Sequence, residues 1–253
     1  MTAETTMAGK PRGGFAKWRR DAIINGGKAL RNTFNDWISA GSDVPTTEYI
    51  SNDHFPWVDD LEAGYPTILA ETQELLKHRA QIPGLLSVSP DHEGIAFGDE
   101  WKSFFLWGYG YRIDDNCAQC PETTRLVEQI PGLITAFFSI LTPRTTIPHH
   151  IGVSRAILHA HLPIIVPENR EEAFLDVNGK KHNWEPGKVV VFDDTFSHGA
   201  SNNSDIERTV LFLQVRRPVH GMSKVAANAF LKGVQWSPFV QDARRNVTKW
   251  KVG

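Results

Sequence analysis

Cysteine is nearly absent from this chain: among 253 residues only Cys117 and Cys120 carry thiols. A structural zinc site would need two more soft ligands nearby, and there is no second C-x-x-C to supply them. The pair reads as two reduced thiols in a loop, which suits a reducing compartment; a disulfide or redox role is the alternative. Also missing is any run of about 18 apolar residues, so no segment is expected to span a membrane. Residues 1–20 contain no apolar stretch of the secretory type, and the expected location is cytoplasmic. A formal net charge of −2 gives no global attraction to nucleic acid or anionic lipid, and no nucleic-acid partner is expected. Internal repeats and low-complexity tracts are absent too.

One local imbalance stands against this neutrality. Between residues 10 and 31, Lys10, Arg12, Lys17, Arg19, Arg20, Lys28 and Arg31 face only Asp21. Phe15, Trp18, Ile23, Ile24, Leu30, Phe34 and Trp37 are interleaved with them, the composition of a basic amphipathic helix. A helix packed on the domain with solvated charges is the simpler reading. Peripheral membrane contact through residues 10–37 is the alternative.

The length suits one large domain. Residues 1–14 are polar, contain Gly and Pro, and read as a disordered tail. Residues 15–94 read as a helical region packed on the core, with Ile68, Leu69, Thr72, Leu75 and Leu76 at helical spacing in "PTILAETQELLKHRA". Residues 95–220 hold β-rich runs separated by Pro, Gly and Asn/Asp turns, including the hairpin signal Asn178-Gly179. Residues 221–253 read as a C-terminal helical extension. The fold class is mainly β with flanking helices, built on a barrel or jelly roll.

In "SRAILHAH" alternate side chains share a face, so Arg155, Ile157, His159 and His161 are expected to point together into a polar barrel interior. His150 stands just upstream, and His198 follows "VVVFDD" and a turn. Arg208 opens "RTVLFLQV", the most apolar strand, where a lone guanidinium would be costly to bury and a carboxylate ligand would offset that cost. Histidines and a carboxylate-gripping arginine in β-rich sequence are the layout of an iron(II) oxygenase that chelates 2-oxoglutarate. The usual third ligand is missing: His150 is followed by Ile151-Gly152, not by H-x-D or H-x-E.

Several blocks together resemble the aspartyl/asparaginyl β-hydroxylase family. They are Trp101, Phe104, Leu106 and Trp107, then "NCAQCPET", "IPG", "FSIL-x-P", "PHHIG" and "HLPIIVP", and finally "W-E-x-G-K-V-x-x-F-D-D-x-F-x-H" from Trp184 to His198, followed by Arg208. The resemblance covers roughly residues 95–220 and implies a double-stranded β-helix (jelly-roll, cupin-like) using Fe(II), 2-oxoglutarate and O2. By position it implies His150 and His198 as iron ligands, with His149 a bystander. Arg208 with Ser139 would hold the distal carboxylate of 2-oxoglutarate, and His161 would sit near its chelating end. The family has an arginine where His159 stands, so the inner carboxylate falls to His159 or to Arg155. Gly152 matches the eukaryotic branch; bacterial lipid A hydroxylases of the family have H-x-D there. Asp193 and Asp194 either support the iron site from nearby or only shape a turn. Trp101, Phe104, Phe105 and Trp107 read as core in preference to a substrate platform.

The implied reaction is hydroxylation of an unactivated C–H on a small molecule or a carrier- or peptide-borne substrate, and the basic N-terminal segment keeps a lipid open. One alternative is halogenation, with halide in the position Gly152 leaves free. The other is a non-enzymatic cupin-like protein that binds a carboxylate.

Overall fold

The computed structural model describes residues 31–89, 92–96 and 98–247. The expected tail 1–14 and the basic segment 10–37, apart from 31–37, lie outside the described residues, as do 248–253.

A helix over 31–40 (α1) precedes a short strand, Tyr49–Ile50 (β1), and helices Trp57–Ala63 (α2), Tyr65–Leu76 (α3) and Leu85–Val88 (α4). Strands Trp101–Gly108 (β2) and Tyr111–Arg112 (β3) form a hairpin, followed by helices Asp114–Cys117 (α5) and Pro121–Glu128 (α6). Eight strands then run in succession: Leu133–Leu141 (β4), Thr145–His150 (β5), Ile157–Ile165 (β6), Ala173–Val177 (β7), Lys180–Asn183 (β8), Val190–Phe192 (β9), His198–Asn202 (β10) and Arg208–Arg216 (β11). Helices Gly221–Trp236 (α7) and Pro238–Val247 (α8) follow.

The strands form a seven-stranded sheet, β1-β9-β6-β11-β4-β2-β3, and a four-stranded sheet, β5-β10-β7-β8. From β4 to β11 the chain passes back and forth between the two sheets, with β7 and β8 the only consecutive strands in the same one. This is the wiring of a jelly roll, and it agrees with the expected fold class. Asn178 (φ 56°) and Gly179 (φ 81°) close the β7–β8 hairpin, both in the left-handed region a two-residue type I′ turn requires.

Strand alternation sorts the core into two layers. On the outer face of the large sheet, Phe104, Leu106, Phe138, Ile140, Leu158, Leu162, Leu211 and Leu213 pack against Val58, Leu61, Ile68, Leu75 and Val127 of α2, α3 and α6. On the inner face Trp101, Phe105, Phe137, Val210 and Phe192 meet Ile147, Leu175, Val177 and Ala200 of the small sheet. The aromatic run of β2 is thus divided: Phe104 lies under the helices, while Trp101 and Phe105 face the barrel interior.

One reading is corrected. The stretch from His150 to His161 is not one strand: His150 ends β5 in the small sheet, and β6 begins in the large sheet at Ile157. Arg155 therefore precedes β6 and does not share the inward face of His159 and His161. Its guanidinium reaches Ser39 Oγ (2.7 Å) and Thr195 Oγ1 (3.2 Å) and lies 3.7 Å from Asp193. Cys117 and Cys120 are buried, unpaired thiols, and burial pushes the Cys120 thiol up to about 12. That suits the structural reading.

Candidate active site

His150 at the end of β5 and His198 at the start of β10 are direct cross-strand partners, and their rings lie 4.2 Å apart. Each ring is oriented by its own chain. His150 Nδ1 donates to Pro148 O (2.9 Å) and His198 Nδ1 donates to Phe196 O (3.0 Å), in both cases the carbonyl two residues back. That leaves both Nε2 lone pairs free, the arrangement metal-binding histidines adopt. Burial keeps the two rings neutral, lowering His198 to about 4 and moving His150 in the same direction. Gly199 allows the strands to approach: a Cβ there would lie 2.9 Å from Ile147 O and 3.0 Å from His149 Cδ2. His149 is half exposed and faces Asp176 and Ser197, away from the cavity.

The position beside Gly152 is taken. A Cβ on Gly152 would lie 1.9 Å from Asp194 Oδ2 and 2.2 Å from its Cγ, and Gly152 N donates to Asp194 O (2.7 Å). Asp194 thus brings its carboxylate, from the loop before His198, to the place a residue-152 side chain would occupy. Oδ2 is 3.3 Å from His159 Nε2, and Oδ1 is buried without a partner. Burial, then the adjacent Asp193, raises this carboxyl to about 8. Among the described residues no third His, Cys, Asp or Glu completes a metal-binding group, so Asp194 stands as a neighbour of a two-histidine pair. Asp193 points elsewhere. Its carboxylate accepts from Thr195 N (2.9 Å) and forms a buried ion pair with Arg217, so it shapes the turn.

Across the interior, β6 and β11 face inward at alternate residues, His159 opposite Gln214 and His161 opposite Phe212. His159 Nε2 meets the Gln214 side-chain amide at 3.0 Å. With Nε2 accepting from that amide or from the Asp194 acid, the ring proton lies on Nδ1, which is buried and has no partner. His161 is buried with neither ring nitrogen bonded, and burial followed by the Arg208 charge holds it neutral.

Arg208 is fully buried and has no carboxylate partner among the described residues; its guanidinium stacks 4.5 Å over the Trp184 ring and reaches only Ser139 O, at 3.4 Å. Burial lowers it to about 9, and its Nε is unbonded, as is Trp184 Nε1. Ser139 Oγ accepts from Trp101 Nε1 (2.9 Å), leaving its own proton to donate. An uncompensated buried cation costs several kcal/mol, so this end of the barrel is built for an anion.

His150, His198, His159, His161, Ser139 and Arg208 all line one cavity of about 380 Å³, and Arg155 does not. Beyond them the walls turn apolar, with Phe105, Phe137, Phe212, Leu85, Val88 and Ile113. The far end is covered by α8 through Val240, Ala243, Arg244 and Val247, the i, i+3, i+4, i+7 face of the helix. Asp194, Gln214, Trp184 and all of α8 belong to the surroundings of the site beyond the residues singled out as ligand-binding. Trp184 lay within a quoted block, whereas nothing in the sequence of α8 connects it to the barrel.

The Aspartyl/Asparaginyl beta-hydroxylase family model matches residues 62–218. The chain is 34% identical over 197 residues to the ornithine lipid ester-linked acyl 2-hydroxylase of Rhizobium tropici, covering 78% of this chain and 70% of that protein. It is 31% identical over 188 residues to human aspartate beta-hydroxylase domain-containing protein 2, covering 70% of this chain and 49% of that one. It is 28% identical over 178 residues to human aspartyl/asparaginyl beta-hydroxylase, covering 64% of this chain and 23% of that one. The chain therefore spans about half or less of the two human proteins. A cupin barrel protein from Salinispora arenicola overlaps 55% of this chain and 92% of its own, at 11% identity and a TM-score of 0.32. With a family model covering most of the chain and a relative matched over more than two thirds of both lengths, the chain belongs to the aspartyl/asparaginyl β-hydroxylase family.

Proposed function

We propose that this protein is an iron(II)- and 2-oxoglutarate-dependent hydroxylase that acts on the acyl chain of an amphiphile. The observation that carries the cofactor reading is one cavity holding two features: two imidazoles with Nδ1 tied to backbone carbonyls, and a buried arginine with no counter-charge. The donor set fits. Two neutral Nε2 atoms suit iron(II), and the unbonded Arg208 Nε and Ser139 hydroxyl suit a carboxylate. Bound there, iron(II), 2-oxoglutarate and O2 supply the oxidising power that replaces a C–H hydrogen with OH, with 2-oxoglutarate leaving as succinate and CO2.

The chain's own residues bind, orient and exclude water. Arg208, held flat on Trp184, grips one carboxylate. His159, with Gln214 and Asp194 on Nε2, presents its Nδ1–H to the other carboxylate and takes the part that arginine plays elsewhere in the family. Asp194, its carboxyl raised to about 8 by burial in the metal-free protein, orients His159 from beside the two iron-binding histidines.

The acyl reading rests on the apolar outer half of the cavity and on the similarity to an acyl 2-hydroxylase. A substrate drawn from a membrane also gives the basic segment 10–37 a role as a peripheral membrane contact. No observation favours halogenation.

The test is succinate release and O2 uptake by purified protein supplied with Fe(II), 2-oxoglutarate and a panel of acyl amphiphiles. A hydroxylated acyl product is expected, and His198→Ala should abolish it. Iron retention with no oxygen uptake on any acyl substrate would return the protein to the carboxylate-binding reading.

A further inference from the structure

We propose that Arg155 is a positioning residue of the iron site. It fastens the turn that orients His198 to helix α1, and so sets how tightly and in what geometry the metal is held without touching it. This rests on the iron reading above and goes beyond it to the scaffold behind the ligands.

The His198 ring is held through its Nδ1, which donates to Phe196 O (3.0 Å), so it is only as well placed as the turn over residues 193–196. That turn closes on Asp193: Thr195 N donates to Asp193 Oδ1 (2.9 Å) and Phe196 N to Asp193 O (3.4 Å). The same turn carries Asp194, whose carboxyl meets His159 and whose carbonyl accepts from Gly152 N. A shift of this one turn therefore disturbs His198 and His159 together.

Arg155 grips the turn along its length. Its Nε donates to Thr195 Oγ1 (3.2 Å) and lies 3.7 Å from Asp193 Oδ2, and its guanidinium sits 5.7 Å from the centroid of the Phe196 ring. Its other contacts are on α1: Nη1 donates to Ser39 Oγ (2.7 Å) and the backbone N to Asn35 Oδ1 (2.9 Å). Arg217 backs the arrangement, pairing with Asp193 while its own Nε donates to Arg155 O (2.7 Å). Arg155 stands in the loop that follows His150 and Gly152, so it stitches together the loops of both histidine ligands. A guanidinium, with several donors in a rigid fork, suits such cross-linking. Neither Arg155 nor α1 lines the cavity, so an effect on the metal passes either through the turn or through the field of the charge. The two have opposite signs. Removing a nearby cation strengthens the binding of a divalent metal ion, whereas loosening the support of a ligand weakens it.

The experiment is calorimetric titration of the metal-free full chain with Co(II), a stand-in for iron(II) whose visible absorption reports ligand geometry. Wild-type protein should bind Co(II), and His198→Ala should lose it. Arg155→Met keeps the aliphatic stem; it should weaken Co(II) binding by about ten- to hundredfold and change the absorption spectrum at saturation. Ser39→Ala removes only a tie to α1; it should weaken binding in the same direction by less than about tenfold. Wild-type or tighter binding by Arg155→Met, or a wild-type spectrum at saturation, overturns the positioning role and leaves the iron reading standing. Wild-type affinity and spectrum in Ser39→Ala overturn the part given to α1, and this variant decides alone if Arg155→Met does not fold. If wild-type protein binds no Co(II), the iron reading falls and the positioning role with it.

Discussion

Gly152 is a glycine because Asp194 fills the volume its side chain would need. Gly152→Asp is therefore expected not to add a working third ligand. It must displace Asp194 or the loop, with a loss of about 1–3 kcal/mol that thermal denaturation of the metal-free protein will detect. Asp194 itself gives a pH signature. Its carboxyl titrates at about 8 when folded against a model value of 3.8, so the folded state holds the proton more tightly than the unfolded one. The stability this contributes is complete below about pH 3.8 and is lost as pH rises through 8. Asp194→Asn should remove that dependence, so melting curves of the variant should gain on wild type between pH 4 and 8. A constant difference across that range would contradict the burial argument. At this scale His150, His198 and Arg208 were legible because each stands in a motif of fixed spacing or at the head of a strongly apolar strand. Arg155 was not. Period-two reasoning holds only inside a strand, and the chain turns at residues 155–156 before β6 begins.

Elements with one strong periodicity could be read directly. Strands β4, β6 and β11 are continuous apolar runs, α3 has a clear apolar stripe, and the β7–β8 hairpin announces itself through Asn-Gly. Strands β5 and β10 could not. "TTIPHH" and "HGASN" lack an apolar alternation, and they are strands because they pair with each other across the cavity and, for β10, with β7. Helix α8 is polar on average, and its cavity-facing stripe gains meaning only once the barrel beneath it exists. That stripe sets a prediction for chain length. Ala243→Phe should place a ring in the outer cavity and weaken binding of long-chain amphiphiles at least tenfold more than of short-chain ones. Iron binding, followed with the metal alone, should not change. Equal losses for all chain lengths would mean that α8 does not touch the substrate.

Across the whole molecule, exposed apolar side chains gather where α1 meets α7. Trp37, Met222 and Val225 are 48%, 63% and 59% exposed, and Ser223 Oγ donates to Trp37 O at 2.9 Å. No helix among the described residues is long and apolar enough to cross a membrane. In sequence, residues 10–37 have the basic and aromatic composition of surface-attaching segments, which gives the patch a testable role. Full-length protein should co-sediment with vesicles rich in anionic lipid, less so as salt rises, and a Trp37→Ser, Met222→Ser double variant should bind more weakly. Unchanged sedimentation of that variant would leave the patch without a membrane role.

The back-and-forth wiring of the two sheets has a further consequence, for the order of assembly. Nearly every wall of the cavity joins segments far apart in sequence, such as β4 with β11 and β5 with β10. Such a topology closes late and folds in milliseconds to seconds or slower. Helix α8 packs over the cavity only once the barrel beneath it exists, so this apolar wall is the last surface to be sealed. A refolding chain should pass through a state that binds hydrophobic dye until α8 docks, and that dye signal should decay with the slowest phase.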